Sequence, residues 1–218
     1  MANHDRYIPA LGLRALTPLY DSVLRWIFHD EEFKRSLIAL ADIQPGQRVL
    51  DLGCGTGTLM LLIKQAQPYA TVTGADGDAD VLTIAHTKAV TDGVGLTFGQ
   101  ALASHLPYPG GTFDRIVSSL VFHHLPSAIK RAALREAHRV LCVGGELHIL
   151  DFGAPHTVMG KLLAPVVRHA EQAKDNVDGL IPVMVHEAGF VDVTVLHQKP
   201  FIGVATLTHV RARKGVSV

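Results

Sequence analysis

The chain has 218 residues, 48% of them hydrophobic, and its 20 basic side chains are balanced by 20 acidic ones. That length suits one domain with an appendage and a core of useful size. With no basic surplus and no apolar run near the ~18 residues of a membrane span, neither a nucleic-acid partner nor stable membrane insertion is expected. Met1 to Tyr7 lacks the charged-then-apolar order of a signal peptide, so the expected location is the cytoplasm. The two cysteines, Cys54 and Cys142, show neither metal-ligand spacing nor a disulfide framework and read as small packing residues.

Residues 11–40 carry apolar side chains at helical spacing, interrupted by Pro18, with a second helix running from the acids at Asp30 to Ala41. This segment, residues 1–44, reads as a helical lid or flank; residues 45–218 read as the main domain. Pro45-Gly46 turns the chain into a first strand, Val49 to Leu52, followed by glycines at 53, 55 and 57 and a helix from Thr58. Thr71 to Asp76 is a second strand ending in an acid. Asp78 is placed to cap the next helix, whose inner face would be Val81, Leu82, Ala85 and Ala89. Leu96 to Phe98 and Phe113 to Ser119 are the third and fourth strands. A helix then starts at Pro126-Ser127, with Ile129, Ala133, Ala137, Val140 and Leu141 as its buried stripe, and Gly144-Gly145 breaks it. Glu146 to Asp151 is a fifth strand. Residues 155–188 are mainly helical, irregular near Asn176 to Pro182, and 191–197 and 201–211 form a hairpin at one edge, separated by Pro200.

Strands alternating with helices over some 150 residues predict an α/β fold. It is a Rossmann-like, seven-stranded, mostly parallel sheet with helices on both faces, a C-terminal antiparallel hairpin and an N-terminal helical lid. Ligands of such sheets sit beyond the C-terminal strand ends. Those ends carry Asp51 to Gly57, Asp76, the loop after Phe98, Ser118 to His124, and Asp151 to Gly153.

The glycine turn is suited to a nucleotide, because glycine tolerates positive φ and keeps no Cβ between ligand and backbone. A nicotinamide dinucleotide would call for Gly-x-Gly-x-x-Gly with an acid some 20 residues on. Here the glycines alternate, and Asp51 precedes them. No Tyr-x-x-x-Lys pair occurs, which weighs against a dehydrogenase, and no Gly-Lys-Ser/Thr follows, which excludes a P-loop.

Asp51-Leu52-Gly53-Cys54-Gly55-Thr56-Gly57 instead resembles the first motif of class I S-adenosylmethionine-dependent methyltransferases. The resemblance continues through Asp76, Leu106-Pro107-Tyr108, Phe113 to Ser119, His123-His124-Leu125, Glu136 to Leu141, Gly144 to Leu147 and Glu187 to Phe190. Within that superfamily it is nearest the ubiquinone/menaquinone-biosynthesis C-methyltransferase group, and Leu19-Tyr20-Asp21 is similar to the lid pair of such proteins.

The resemblance implies S-adenosylmethionine as cofactor and a small-molecule acceptor. Gly53 and Gly55 would admit the methionine part, Asp51 would meet its ammonium, Asp76 the ribose hydroxyls, and Gly77 and Asp78 would lie near the adenine. Cys54, Ser118 and Ser119 would line the same cofactor site, with Tyr20 closing over it. Where the family has an acid for the adenine amine, this chain reads Phe98 to Ala103; either the Gln100 amide or backbone groups at Leu102 and Ala103 make that contact. His123 and His124 are the candidate general bases, since histidine titrates near neutrality. No metal site is expected. The expected reaction is in-line methyl transfer to a small or lipophilic acceptor; the alternative is a non-catalytic module that binds S-adenosylmethionine or S-adenosylhomocysteine.

Overall fold

A computed structural model of the protein describes residues 30–155, 172–201 and 205–216. The first element is helix α1, Asp30–Ala41. Strand β1 (Arg48–Leu52), helix α2 (Thr58–Ala66), strand β2 (Thr71–Asp76) and helix α3 (Ala79–Thr91) follow. Next come β3 (Thr97–Gln100), β4 (Phe113–Ser119), a 3-10 turn (Phe122–His124) and α4 (Ser127–Val140). The chain closes with β5 (Leu141–Gly153), the short helices α5 (Lys174–Val177) and α6 (Ile181–Glu187), and the strands β6 (Phe190–Phe201) and β7 (Ala205–Lys214).

The seven strands lie in the order β3-β2-β1-β4-β5-β7-β6. The first five run parallel, and β7 is antiparallel to both its neighbours. The expected seven-stranded sheet with its edge hairpin is therefore present. Successive side chains of a strand point to opposite faces, and β1 shows it. Leu50 and Leu52 join the core under α4 and α6, whereas Val49 joins the core under α1 and α2. Each such fully buried aliphatic side chain is worth about 1.5–3 kcal/mol relative to exposure. α1 packs into the second core through Leu37, Ile38 and Ala41. Its last carbonyl, at Ala41, accepts from Arg115 Nε at 3.0 Å, which satisfies a group that a helix end leaves unpaired.

Several local expectations are corrected. Gly144-Gly145 does not end α4. The helix stops at Val140 and β5 begins at Leu141, because Leu141 pairs with Phe113 and the register then shifts before Arg115 meets Glu146. The glycines sit in that irregularity, with Gly144 at φ 79, and Cys142 lies in a strand rather than at a helix end. On α4 the buried stripe includes Lys130 and Leu134, and Ile129 is only partly covered. On α3, Leu82, Ala85 and Ala89 are buried while Val81 is partly exposed. Pro200 does not interrupt the hairpin but pairs with Thr206; β6 is the sheet edge, where a residue without an N–H is tolerated. The helices expected over 11–29 and the stretch 156–171 lie outside the described residues.

Candidate functional site

Strand order reverses at β1, whose neighbours are β2 on one side and β4 on the other. The connections leaving β1 and β4 therefore diverge, opening a crevice at their C-terminal ends. One wall is the turn after β1. Gly53 N and Cys54 N both donate to Ala75 O, at 2.8 and 3.1 Å, and Gly57 N donates to Cys54 O at 2.9 Å. Gly53, Gly55 and Gly57 have φ of 75, 51 and 77, values that disfavour any residue with a Cβ. The two outer glycines also need the space: a Cβ at Gly53 would lie 2.5 Å from a Val121 methyl, and one at Gly57 3.0 Å from that of Ala85. No described residue lies within 4 Å of the place a Gly55 Cβ would take, so among the described residues the bare backbone there is uncovered.

Asp76 braces this turn. Its carboxylate accepts from Gly55 N at 2.9 Å and from Asp78 N at 3.0 Å. Burial raises its pKa, opposed by those backbone donors. Asp78 caps α3 as expected, accepting from Asp80 N at 2.8 Å. Asp51, one strand over, is 1% exposed, and its Oδ2 has no hydrogen-bond partner among the described residues. Burial pushes its pKa up to about 7; Lys34 on α1 opposes the rise, and the Asp76 charge adds to it.

The other wall is built on β4 and β5. Ser118 is fully buried and its hydroxyl donates to Leu52 O at 2.8 Å, tying β4 to β1. Ser119 Oγ is buried without a partner among the described residues. Asp151, near the end of β5, gathers donors from three segments. Phe122 N and Phe152 N each donate at 2.7 Å, Asn176 Nδ2 at 3.3 Å, and His123 Nδ1 lies at 2.8 Å. The His123 ring is flanked by His124, with centroids 3.9 Å apart, and by Phe152 at 4.7 Å. His123 Nδ1 is the only nitrogen of that ring bonded to a described residue, which leaves Nε2 as the proton-accepting end. Burial drops His124 to about 4, with the neighbouring His123 charge acting in the same direction, so it stays neutral at ordinary pH.

Among the remaining sequence candidates, Gln100 Nε2 reaches Gly77 O at 3.3 Å, linking the two segments assigned to the adenine end. Leu102 forms an isolated bridge with His105, and Ala101 N donates to Asp76 O at 2.9 Å, so Leu102 and Ala103 lie just past the β3 end beside Asp76. Cys54 is buried against Gly74, where a Cβ would meet its sulfur at 2.7 Å, and burial pushes its thiol pKa up; this is a packing residue, not a nucleophile. Asp114 pairs with Arg48 through that residue's backbone N–H at 2.8 Å and its guanidinium at 3.2 Å, a structural role. Tyr20 lies outside the described residues. The chain's strand ends mark Asp151 as a position of interest, but its partnership with His123 and Asn176 spans 28 and 25 residues and has no local sequence signal.

Another motif quoted from the sequence also acquires a physical role. Glu136 on α4 accepts from Leu106 N at 2.8 Å and forms two contacts of 2.8 Å with Arg139. Arg139 in turn donates to Leu106 O and Tyr108 O at 2.9 and 2.7 Å. The pair clamps the loop between β3 and β4.

Comparison with known proteins shows what the chain is similar to. The chain matches the family model described as "Methyltransferase domain" over residues 49–145. It is similar to demethylmenaquinone methyltransferase of Thermus thermophilus, 37% identical over 142 residues that make up 64% of each chain. It is also similar to the ubiquinone/menaquinone biosynthesis C-methyltransferase UbiE of Xanthomonas campestris, 37% identical over 55% of this chain and 48% of that one. The chain thus spans about half to two thirds of these relatives' length. The fold is shared with phosphoethanolamine N-methyltransferase 2 of Haemonchus contortus, solved with S-adenosyl-L-methionine. That comparison has a TM-score of 0.79 at 15% identity, covering 99% of this chain and 60% of that one.

Proposed function

We propose that the protein binds S-adenosylmethionine across the turn after β1 and transfers its methyl group to a small, lipophilic organic acceptor. The observation that carries this reading is Asp51 Oδ2: a buried carboxylate oxygen with no partner among the described residues, beside a glycine-lined backbone. Burying a carboxylate without a partner is costly, and an ammonium group is the partner that offsets this cost most fully. The donor set thus fits the amino-acid end of that cofactor. Gly53 and Gly55 would let the chain backbone approach it, Asp76 would turn toward the ribose hydroxyls, and Gly77 with Gln100, Leu102 or Ala103 would meet the adenine. Ser118 and Ser119 would stiffen the facing strand end, and Tyr20 would cover the methionine part. The cytoplasm remains the expected setting; among the described residues no helix is long and apolar enough to cross a membrane.

When bound, the cofactor supplies a methyl group activated on a sulfonium. The chain's work is then to align the acceptor, exclude water and, where the acceptor carries a proton that must leave, take that proton. His123 suits the last task better than His124. Its Nδ1 is held by Asp151, which leaves Nε2 as the accepting nitrogen, whereas a group titrating near 4 is a weak base. The names of the sequence relatives support a lipophilic acceptor.

Calorimetry of the full chain with S-adenosylmethionine and with NAD tests the cofactor; binding of NAD alone would refute the reading. Release of S-adenosylhomocysteine across a panel of acceptors separates an enzyme from a non-catalytic binder. With an acceptor found, His123→Gln should reduce turnover sharply and His124→Ala much less; the opposite order would move the base to His124.

A further inference from the structure

A cavity of about 150 Å³ lies between the C-terminal half of β5, the first half and middle of β7 and the segment carrying α5 and α6, away from the glycine turn. Ile149, Ile181, Pro182, Val195 and Val210 give it apolar walls, and Asp151, Asn176 and Thr208 give it a polar end. Two of those three polar residues hold a buried atom with no partner among the described residues: Asn176 Oδ1 and Thr208 Oγ1. The amide orientation of Asn176 follows from its neighbours. Nδ2 faces Asp151 Oδ1 at 3.3 Å and Phe152 O at 3.0 Å, both acceptors, so the carbonyl end must be the orphan. Thr208 Oγ1 lies across the strand pair against Gly153, where a Cβ would approach to 2.0 Å. The missing side chain there gives the hydroxyl its room.

We infer that this cavity is a binding site for a small neutral molecule with an apolar body and one hydroxyl group. Asn176 Oδ1 can only accept, so the ligand must bring a donor; Thr208 Oγ1 can donate to the same oxygen. Charged ligands do not fit. Asp151 already takes five donors, leaving little for a cation, and its charge repels an anion. Water alone satisfies the two orphans poorly. One molecule occupies ~30 Å³ of liquid volume, so most of the space would be water against apolar walls, whereas an apolar cavity of about this size accommodates a benzene-sized ring. The occupant would touch Asn176, which touches Asp151, which holds His123. The cavity's assignment to the apolar part of the methyl acceptor rests on the proposed function; the binding of a hydroxyl-bearing molecule does not.

Phenol and toluene, equal in shape and different in one hydroxyl, are the probes. They are titrated into the full chain without cofactor and followed by ligand-observed NMR and calorimetry, with S-adenosylmethionine titrated into the same sample. Phenol should bind saturably and about tenfold more tightly than toluene. Thr208→Val should bring the two within about twofold, and should also raise the melting temperature of the ligand-free protein by about 2–4 °C, because a buried unpaired hydroxyl is removed. Val195→Trp, at a partly exposed wall position, should abolish both. Absence of saturable phenol binding, equal binding of the two probes to the unaltered chain, or phenol binding that survives Val195→Trp would each overturn the inference. Cofactor binding in the same sample keeps that failure separate from a failure of the proposed function.

Discussion

Two buried aspartates stand at strand ends on either side of one crevice and are treated oppositely. Asp151 is 2% exposed and saturated: backbone, amide and imidazole donors converge on it from three segments. Asp51 is as deeply buried, yet one oxygen has no donor among the described residues, and its pKa is pushed up to about 7. A carboxylate met by its own chain organises that chain. A carboxylate left short is destabilising in the free protein and gains what it lacks from a cation. The contrast separates a scaffold residue from a ligand residue without any appeal to motif.

Mutating each aspartate should therefore affect different quantities, stability at one and cofactor affinity at the other. The largest is expected at Asp151→Ala, which strands three backbone N–H groups, an amide and an imidazole; at about 1–3 kcal/mol for each buried unpaired group, partly relieved by relaxation, the loss is roughly 3–5 kcal/mol. Thermal melts should fall by about 10–15 °C, and an unchanged melt would remove Asp151 from the scaffold. Asp51→Asn should instead weaken cofactor binding by about 10–100-fold, the worth of a charge-assisted hydrogen bond, while leaving the free protein at pH 8 no less stable.

The sign follows from linkage. Asp51 has a folded-state pKa above its unfolded value of 3.8, so the native state holds the proton longer. Stability from this group is greatest below about pH 4, falls as pH rises to about 7, and is flat above. An arriving ammonium replaces that proton. Calorimetry at pH 6 in buffers of different ionisation enthalpy should register release of most of one proton on cofactor binding, and none from the Asp51→Asn protein.

A finer version of the contrast lies within the turn. Gly53→Ala meets Val121 at 2.5 Å and holds a left-handed φ, so it should cost about 2–3 kcal/mol of stability. Gly55→Ala also holds a left-handed φ but projects its methyl into open space; it should cost about 1 kcal/mol in the melt and most of the cofactor affinity. Equal effects of the two on binding would blur the line between anchored and ligand-facing backbone. The smallest effect is expected at Glu136→Gln, about 1 kcal/mol. Arg139 first, then the Leu106 N–H, hold Glu136 down to about 2 against the burial that raises it. Its contribution is present above its unfolded value of 4.5 and fades as pH falls through 2. The difference between wild type and variant should accordingly shrink between pH 7 and pH 2.

The sheet was readable because its signals are local: an apolar run, a glycine turn and an acid at a strand end each occupy fewer than ten residues. Asp51, Asp76 and the turn between them are legible for the same reason. What escaped was set by pairing across long separations. Gly144-Gly145 looks like a helix end until Leu141 is found bonded beside Phe113. Lys130 looks like a surface residue at helical spacing until Gln172 O and Asp175 cover it. Asn176 and Thr208 share a cavity only because β7 inserts between β5 and β6. The adenine end is only partly legible, since Gln100 was singled out but its contact with Gly77 O required the fold.

That buried lysine has a consequence for how the sequence can drift. Lys130 is 0% exposed and holds Gln172 O at 2.6 Å and Asp175 at 3.4 Å, while Ser127 bonds the same carboxylate. Removing either charge alone strands the other in the interior, whereas replacing both by apolar residues of similar volume is often neutral. Positions 130 and 175 can therefore change together but not singly, and a homologue that has lost the lysine should have lost the aspartate with it.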